Sequence, residues 1–130
     1  MTSRKDRLRK LVKLQDQLKA MHETRHAGFV AGAIAAANEA AEIAQRFDME
    51  GSLSALFPEI YHDRISRAVA QQQTAERMAT EEAEKLAAAT ARTNMVERAY
   101  RDALRKDERD SADRERLDMI ERRAAAGEDR

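Results

Sequence analysis

Cysteine and tryptophan are both missing from this chain, proline occurs once and glycine four times. Without cysteine there can be no disulfide framework, no thiol nucleophile and no thiolate metal site, and a reducing cytoplasm is the natural setting. Aromatic residues make up only 4% and charged residues 37%, which is poor material for a globular core and better suited to an elongated helical protein. Neither sign of charge is in excess, with 24 Lys and Arg against 24 Asp and Glu. No global field therefore draws in nucleic acid or an anionic membrane. Long apolar runs are lacking too: the least charged stretch, 27–38, falls well short of the roughly 20 residues that span a bilayer. The opening residues continue into charge rather than an apolar run, so no signal peptide is expected, and the chain is expected to be soluble, cytoplasmic and at most peripheral to a membrane.

What is present reads as helix on both sides of one break. The stretch Phe47-Asp48-Met49-Glu50-Gly51-Ser52-Leu53-Ser54-Ala55-Leu56-Phe57-Pro58 holds the only proline and a glycine. Glycine accepts the left-handed backbone that ends a helix, and proline fits the first turn of the next. The expected fold class is all-α, a long antiparallel two-helix coiled-coil hairpin forming one domain over 1–130, with a helix over about 3–47 capped by Ser3, a turn over about 48–58 and a helix over about 59–126. In the first helix Leu11, Leu14, Leu18 and Met21 step 3-4-3, and Phe29, Ala33, Ala36, Ala40, Ile43 and Phe47 step 4-3-4-3-4. Both are coiled-coil seams, joined by a four-residue stutter through Arg25. In the second, Tyr61, Ile65, Ala68, Gln72, Ala75 and Ala79, then Leu86, Ala89, Thr93, Val96, Tyr100 and Ala103, carry the same spacing.

Folding back near residue 55 sets position i of the first helix opposite roughly position 110 − i. Gly32 would then face Met78, and Gly28, Gly32 and Ala36 would let another backbone approach. Phe47, Leu53, Leu56, Phe57, Ile60 and Tyr61 would form a hydrophobic plug closing the tip. The first helix runs out opposite Arg105 to Asp107, and the sequence turns wholly polar there, from Arg105 to Arg116. Beyond it Leu117, Met119 and Ile120 have nothing in the chain to pack against, and are a candidate contact surface.

One motif bears on chemistry. His22-Glu23-Thr24-Arg25-His26 matches H-E-x-x-H, in which two histidines one turn apart bind zinc and the glutamate activates water. Such a site also needs a third ligand and a walled cleft, which a two-helix hairpin does not supply, and His22 is expected near the level of Ala88. Solvated or seam-flanking histidines are the preferred reading. No catalytic residue, cofactor or metal is assigned, and the chain is expected not to be an enzyme. The remaining local signal is the basic opening, Arg4, Lys5, Arg7, Arg9, Lys10 and Lys13 against Asp6. It faces Asp102, Asp107, Glu108 and Asp110 on fold-back, so it either neutralises them or meets an acidic partner protein. Without aromatic or loop readout beside it, nucleic acid is not expected.

The segments Arg7-Leu8-Arg9-Lys10-Leu11-Val12-Lys13-Leu14-Gln15, Val96-Glu97-Arg98-Ala99-Tyr100-Arg101-Asp102-Ala103-Leu104 and Glu115-Arg116-Leu117-Asp118-Met119-Ile120-Glu121-Arg122-Arg123 give the chain a basic-apolar opening and a charged closing helix with an E-x-L-D-x-I pattern. In this it resembles the FliJ family of flagellar type III export proteins and its YscO-like relatives in virulence secretion. The resemblance implies a coiled-coil stalk or chaperone similar to the rotor stalk of rotary ATPases, entering a hexameric export ATPase by its paired terminal helices and reaching the membrane export gate. Export ATPase, export gate and chaperones are the partners it implies. No binding residue carries over from the family position by position. The competing reading is a generic cytoplasmic scaffold or tether that self-associates, for instance as a homodimer.

Overall fold

The computed structural model of the chain describes residues 3–128. They form two helices, α1 over Arg4–Asp48 and α2 over Pro58–Glu128, packed against each other as an all-α coiled-coil hairpin with no strand among the described residues. The helices end within a residue or two of the expected bounds. Ser3 is the N-cap of α1: its Oγ accepts the Asp6 N–H at 3.2 Å, satisfying one of the donors a helix start leaves unpaired. Two compact units can be distinguished, Leu18–Ala89 and Met1–Gln17 with Thr90–Arg130.

In the Leu18–Ala89 unit the connection between helices is built by hydroxyls and one glycine. Ser54 Oγ donates to the Phe47 carbonyl at 2.8 Å, and Ser52 Oγ lies 2.8 Å from Ser54 Oγ and 3.2 Å from the same carbonyl. Ser52 thus serves the end of α1 rather than the start of the short turn at 53–56. That turn closes through the N–H groups of Leu56 and Phe57, both donating to the Leu53 carbonyl. Gly51 takes φ +79°, a left-handed conformation that costs an L side chain about 1–2 kcal/mol.

The tip is not the expected plug. Phe47 packs edge-on against Tyr61 with ring centroids 5.7 Å apart and lies 5.4 Å from the His62 ring. Leu53, Leu56, Phe57 and Ile60, by contrast, are exposed together with Met49, Leu56 to 73%. Two helix ends meeting in a nine-residue connection offer too little surface to cover five large side chains, so burial stops at the Phe47 and Tyr61 layer.

The covered positions of α1 form one series: Lys5, Leu8, Val12, Gln15, Lys19, His22, His26, Phe29, Ala33, Ala36, Ala40, Ile43 and Phe47. Steps of three and four alternate throughout, with no stutter. The expected seam of Leu11, Leu14, Leu18 and Met21 is corrected accordingly. Leu11, Leu14 and Met21 are exposed, Leu14 to 50%, and Leu18 is half-buried at the margin. In α2 the two expected runs are a single frame bridged by Glu82, which is only 4% exposed. Ala89 is fully buried, with Ala68 and Thr93 close behind; small residues at these layers let the helices approach closely. Gly28 and Gly32 have open space where a Cβ would stand, with no described residue beyond their own stretch of helix within 4 Å, so Met78 does not fill the space at Gly32.

In the Met1–Gln17 with Thr90–Arg130 unit, Leu8, Val12 and Gln15 are half-buried, as are Val96, Tyr100, Ala103 and Leu104. Cover ends at Leu104. From Arg105 to Gly127 every side chain is exposed, at the point where α1 begins, as the change in sequence at Arg105 predicts.

Candidate functional site

The basic opening is partly consumed by the fold. Lys5 Nζ lies 3.1 Å from Asp107 Oδ2 on α2. The hydrogen bond and charge of Asp107 raise the Lys5 pKa above its ordinary value of 10.5. Arg9 pairs with Asp6 on its own helix at 3.4 Å. Arg4 borders a surface hollow shared with Lys106, Asp107 and Asp110, so part of the expected neutralisation across the hairpin is real. Arg7 and Lys10 are exposed and in no ion pair among the described residues. They, with Arg4 and the likewise exposed and unpaired Lys13, are the cations of the opening left to meet a partner.

Leu117, Met119 and Ile120 are all more than half exposed, Ile120 to 62%. They do not form one patch. Residues two apart on a helix point away from each other, so Leu117 and Met119 lie on different sides. Met119 and Ile120 share a shallow hollow of about 230 Å³ with Arg116 and Arg123. Leu117 meets this group only through Ile120, three residues on. Nor does the trio sit beside the basic opening: ten residues of α2 separate Leu117 from Asp107, roughly 15 Å of helix past the Lys5 contact. The expected site is therefore two surfaces, a cationic one on α1 and an apolar one on the free extension of α2.

The H-E-x-x-H histidines have a different role. His22 projects into the seam and its Nδ1–H donates to Glu82 Oε2 at 2.8 Å, because an ionised carboxylate can only accept. The level is Glu82, not Ala88. Lys85, one turn along α2, lies 3.7 Å from the other oxygen of Glu82. The His22 hydrogen bond, then the charges of Lys85, His22 and Arg25, hold the Glu82 carboxyl below its ordinary value of 4.5 against the opposing effect of burial. Glu23, the glutamate of the motif, is exposed, and His26 is half-buried one turn on. Among the described residues no three metal-binding side chains converge, and none of their helices is long and apolar enough to cross a membrane.

No family model, no curated protein and no solved structure matches this chain.

Proposed function

We propose that this chain is a non-enzymatic, cytoplasmic coiled-coil stalk of a flagellar-type protein export apparatus, docking a hexameric export ATPase through the start of α1 and the extension of α2 and extending toward the export gate. The observation that carries a docking role is the extension of α2. From Arg105 to Gly127 it continues as helix with no covered side chain and with three large apolar residues in water. A helix bearing unmatched apolar side chains, here Met119 and Ile120 in one hollow with Leu117 beside Ile120, is suited to pairing with a partner helix. The exposed Arg4, Arg7 and Lys10 supply steering, and Leu117, Met119 and Ile120 supply the apolar anchor. The identity of the partner rests on the resemblance to export stalks.

Binding to a purified export ATPase tests this. Affinity should fall with added salt. It should also fall on Arg7→Glu with Lys10→Glu, and on truncation after Asp113, while both variants keep the helical hairpin, since Arg7, Lys10 and the side chains of 114–127 are all exposed. Retained wild-type affinity in both would overturn the assignment. The second reading, a self-associating scaffold, is favoured by one observation: Leu11 and Leu14 face solvent on α1 at adjacent turns. Sedimentation of the free chain separates it, because a stable dimer lost on Leu11→Ser with Leu14→Ser supports the scaffold.

A further inference from the structure

In coiled-coil terms Phe29, Ala36 and Ile43 occupy d positions of α1, so Gly28 and Gly32 fall at c and g and Arg46 at g. On α2, Tyr61 and Ala75 are d, Ile60 and Arg67 are c, and Arg64 and Met78 are g. In an antiparallel pair the two g edges share one side, so all of these flank the same groove within the Leu18–Ala89 unit. Two hollows open along it. One, of about 190 Å³, lies at the tip, floored by Ile43 and Tyr61, walled by Leu53, Phe57 and Ile60, and flanked by Arg46 and Arg64. The other, of about 450 Å³, lies over Phe29, Ala75 and Met78 and is edged by Arg67.

Three features of the groove select its occupant. First, the edge of α1 beside the Phe29 hollow is bare: Gly28 and Gly32 line neither hollow and have open space where side chains would stand. Second, the charge lining the hollows is all of one sign. Arg46, Arg64 and Arg67 line them, no carboxylate does, and none of the three is in an ion pair among the described residues. Arg46 also complements the C-terminal end of the α1 dipole, which gives no role to Arg64 or Arg67. Glu39 at g and Glu42 at c lie on the same edge of α1 between the hollows, and Asp48, Glu50, Glu59 and Asp63 belong to the same end of the hairpin, yet none of these carboxylates lines either hollow. Third, the floors are spaced as a helix would space its anchors: Phe29 and Ile43 are fourteen residues apart on α1, roughly 21 Å of helix.

We infer that this groove takes a third helix, an acidic amphipathic segment of a partner protein that sets one large apolar side chain in each hollow, fourteen residues apart, and carboxylates against the three arginines. A second copy placed face to face would bring arginine to the hollows, its Glu39 and Glu42 lying between them rather than in them, and so does not supply the missing charge there. This surface is separate from the one proposed for the ATPase.

Fluorescence anisotropy of the full chain with a synthetic helical peptide of about 20 residues, long enough to hold some helix in water, tests the inference. The peptide carries two phenylalanines fourteen positions apart, alanines between them on the same face and glutamates at the flanks. A control replaces every glutamate with lysine. The acidic peptide should bind at least about tenfold more tightly than the control, a preference expected from charge complementarity. Arg46→Glu with Arg64→Glu and Arg67→Glu should abolish or reverse that preference. Gly32→Leu, which raises helix propensity and enters empty space, should weaken the acidic peptide by about tenfold or more without loss of thermal stability. Truncation after Asp113 should leave peptide binding intact. Equal binding of the two peptides, no binding of either, or indifference to both sets of substitutions would overturn the inference. So would arginine-dependent binding to vesicles of equal phosphatidylcholine and phosphatidylglycerol without peptide binding, which would assign the face to a membrane. A dimer broken by Gly32→Leu without peptide binding would assign it to a second copy.

Discussion

His22 Nδ1 lies 2.8 Å from Glu82 Oε2, a hydrogen bond across sixty residues of sequence that fills a layer of the hairpin seam with a polar pair. A buried carboxylate without a partner is costly, and only a few register positions place a histidine opposite it, so the pair favours the observed alignment of the helices over a shifted one. A single polar layer that fixes coiled-coil register is the best-attested use of such groups.

The same pair makes stability depend on acid. Glu82 is held below its ordinary 4.5 in the folded chain, chiefly by the His22 hydrogen bond. A carboxyl whose folded pKa is depressed contributes stability above its unfolded pKa and loses it as pH falls through the folded value. The melting temperature should therefore decline as pH is lowered below about 4.5, and Glu82→Gln should have a shallower decline. Parallel acid profiles for the two proteins would show that Glu82 does not carry this dependence.

The single continuous seam separates two otherwise similar apolar residues. Ile43 is 5% exposed, and Ile43→Ala should cost about 2–4 kcal/mol in denaturant unfolding through lost burial and an incompletely collapsed cavity. Leu14→Ala, on the outer face, should stay within about 0.5 kcal/mol. The reverse order would restore the seam through Leu11, Leu14, Leu18 and Met21.

That contrast also marks how far the sequence could be read. The d and a positions Phe29 to Phe47 and both runs of α2 were legible because apolar residues occupy them. The basis for the α2 extension was equally plain, since large apolar residues disappear at Arg105, where cover ends. Gln15, Lys19, His22, His26 and Glu82 were not legible, because an apolar pattern cannot report a polar layer. A signal existed nonetheless: the two α2 runs share one frame, and the position missing between Ala79 and Leu86 is Glu82. Leu11 and Leu14 misled because their spacing is that of a seam on a face that α2 does not cover. The tip misled for another reason, as composition shows that apolar residues gather there but not whether nine residues of connection can bury them.

Glycine substitutions should split by sign. Gly51→Ala forces alanine into φ +79° and should destabilise by about 1–2 kcal/mol. Gly28→Ala and Gly32→Ala meet open space within a helix and should each stabilise by about 0.5–1 kcal/mol. Thermal unfolding followed by circular dichroism reads both, and destabilisation at Gly32 would mean that another backbone approaches it after all.

Hydrogen exchange of the full chain, alone and with a purified export ATPase hexamer, tests the proposed docking most directly. Alone, amides of 105–127 should exchange fastest of any long segment, because none of their side chains is covered, while those around Ala89 and Thr93 stay protected. With the hexamer present, protection should appear across Leu117 to Ile120 and on the α1 turns carrying Arg7 and Lys10, and should fade at high salt. If 105–127 exchange as fast with the ATPase as without it, or are already as protected as Ala89 in a monomer, the extension of α2 is not the docking surface proposed here.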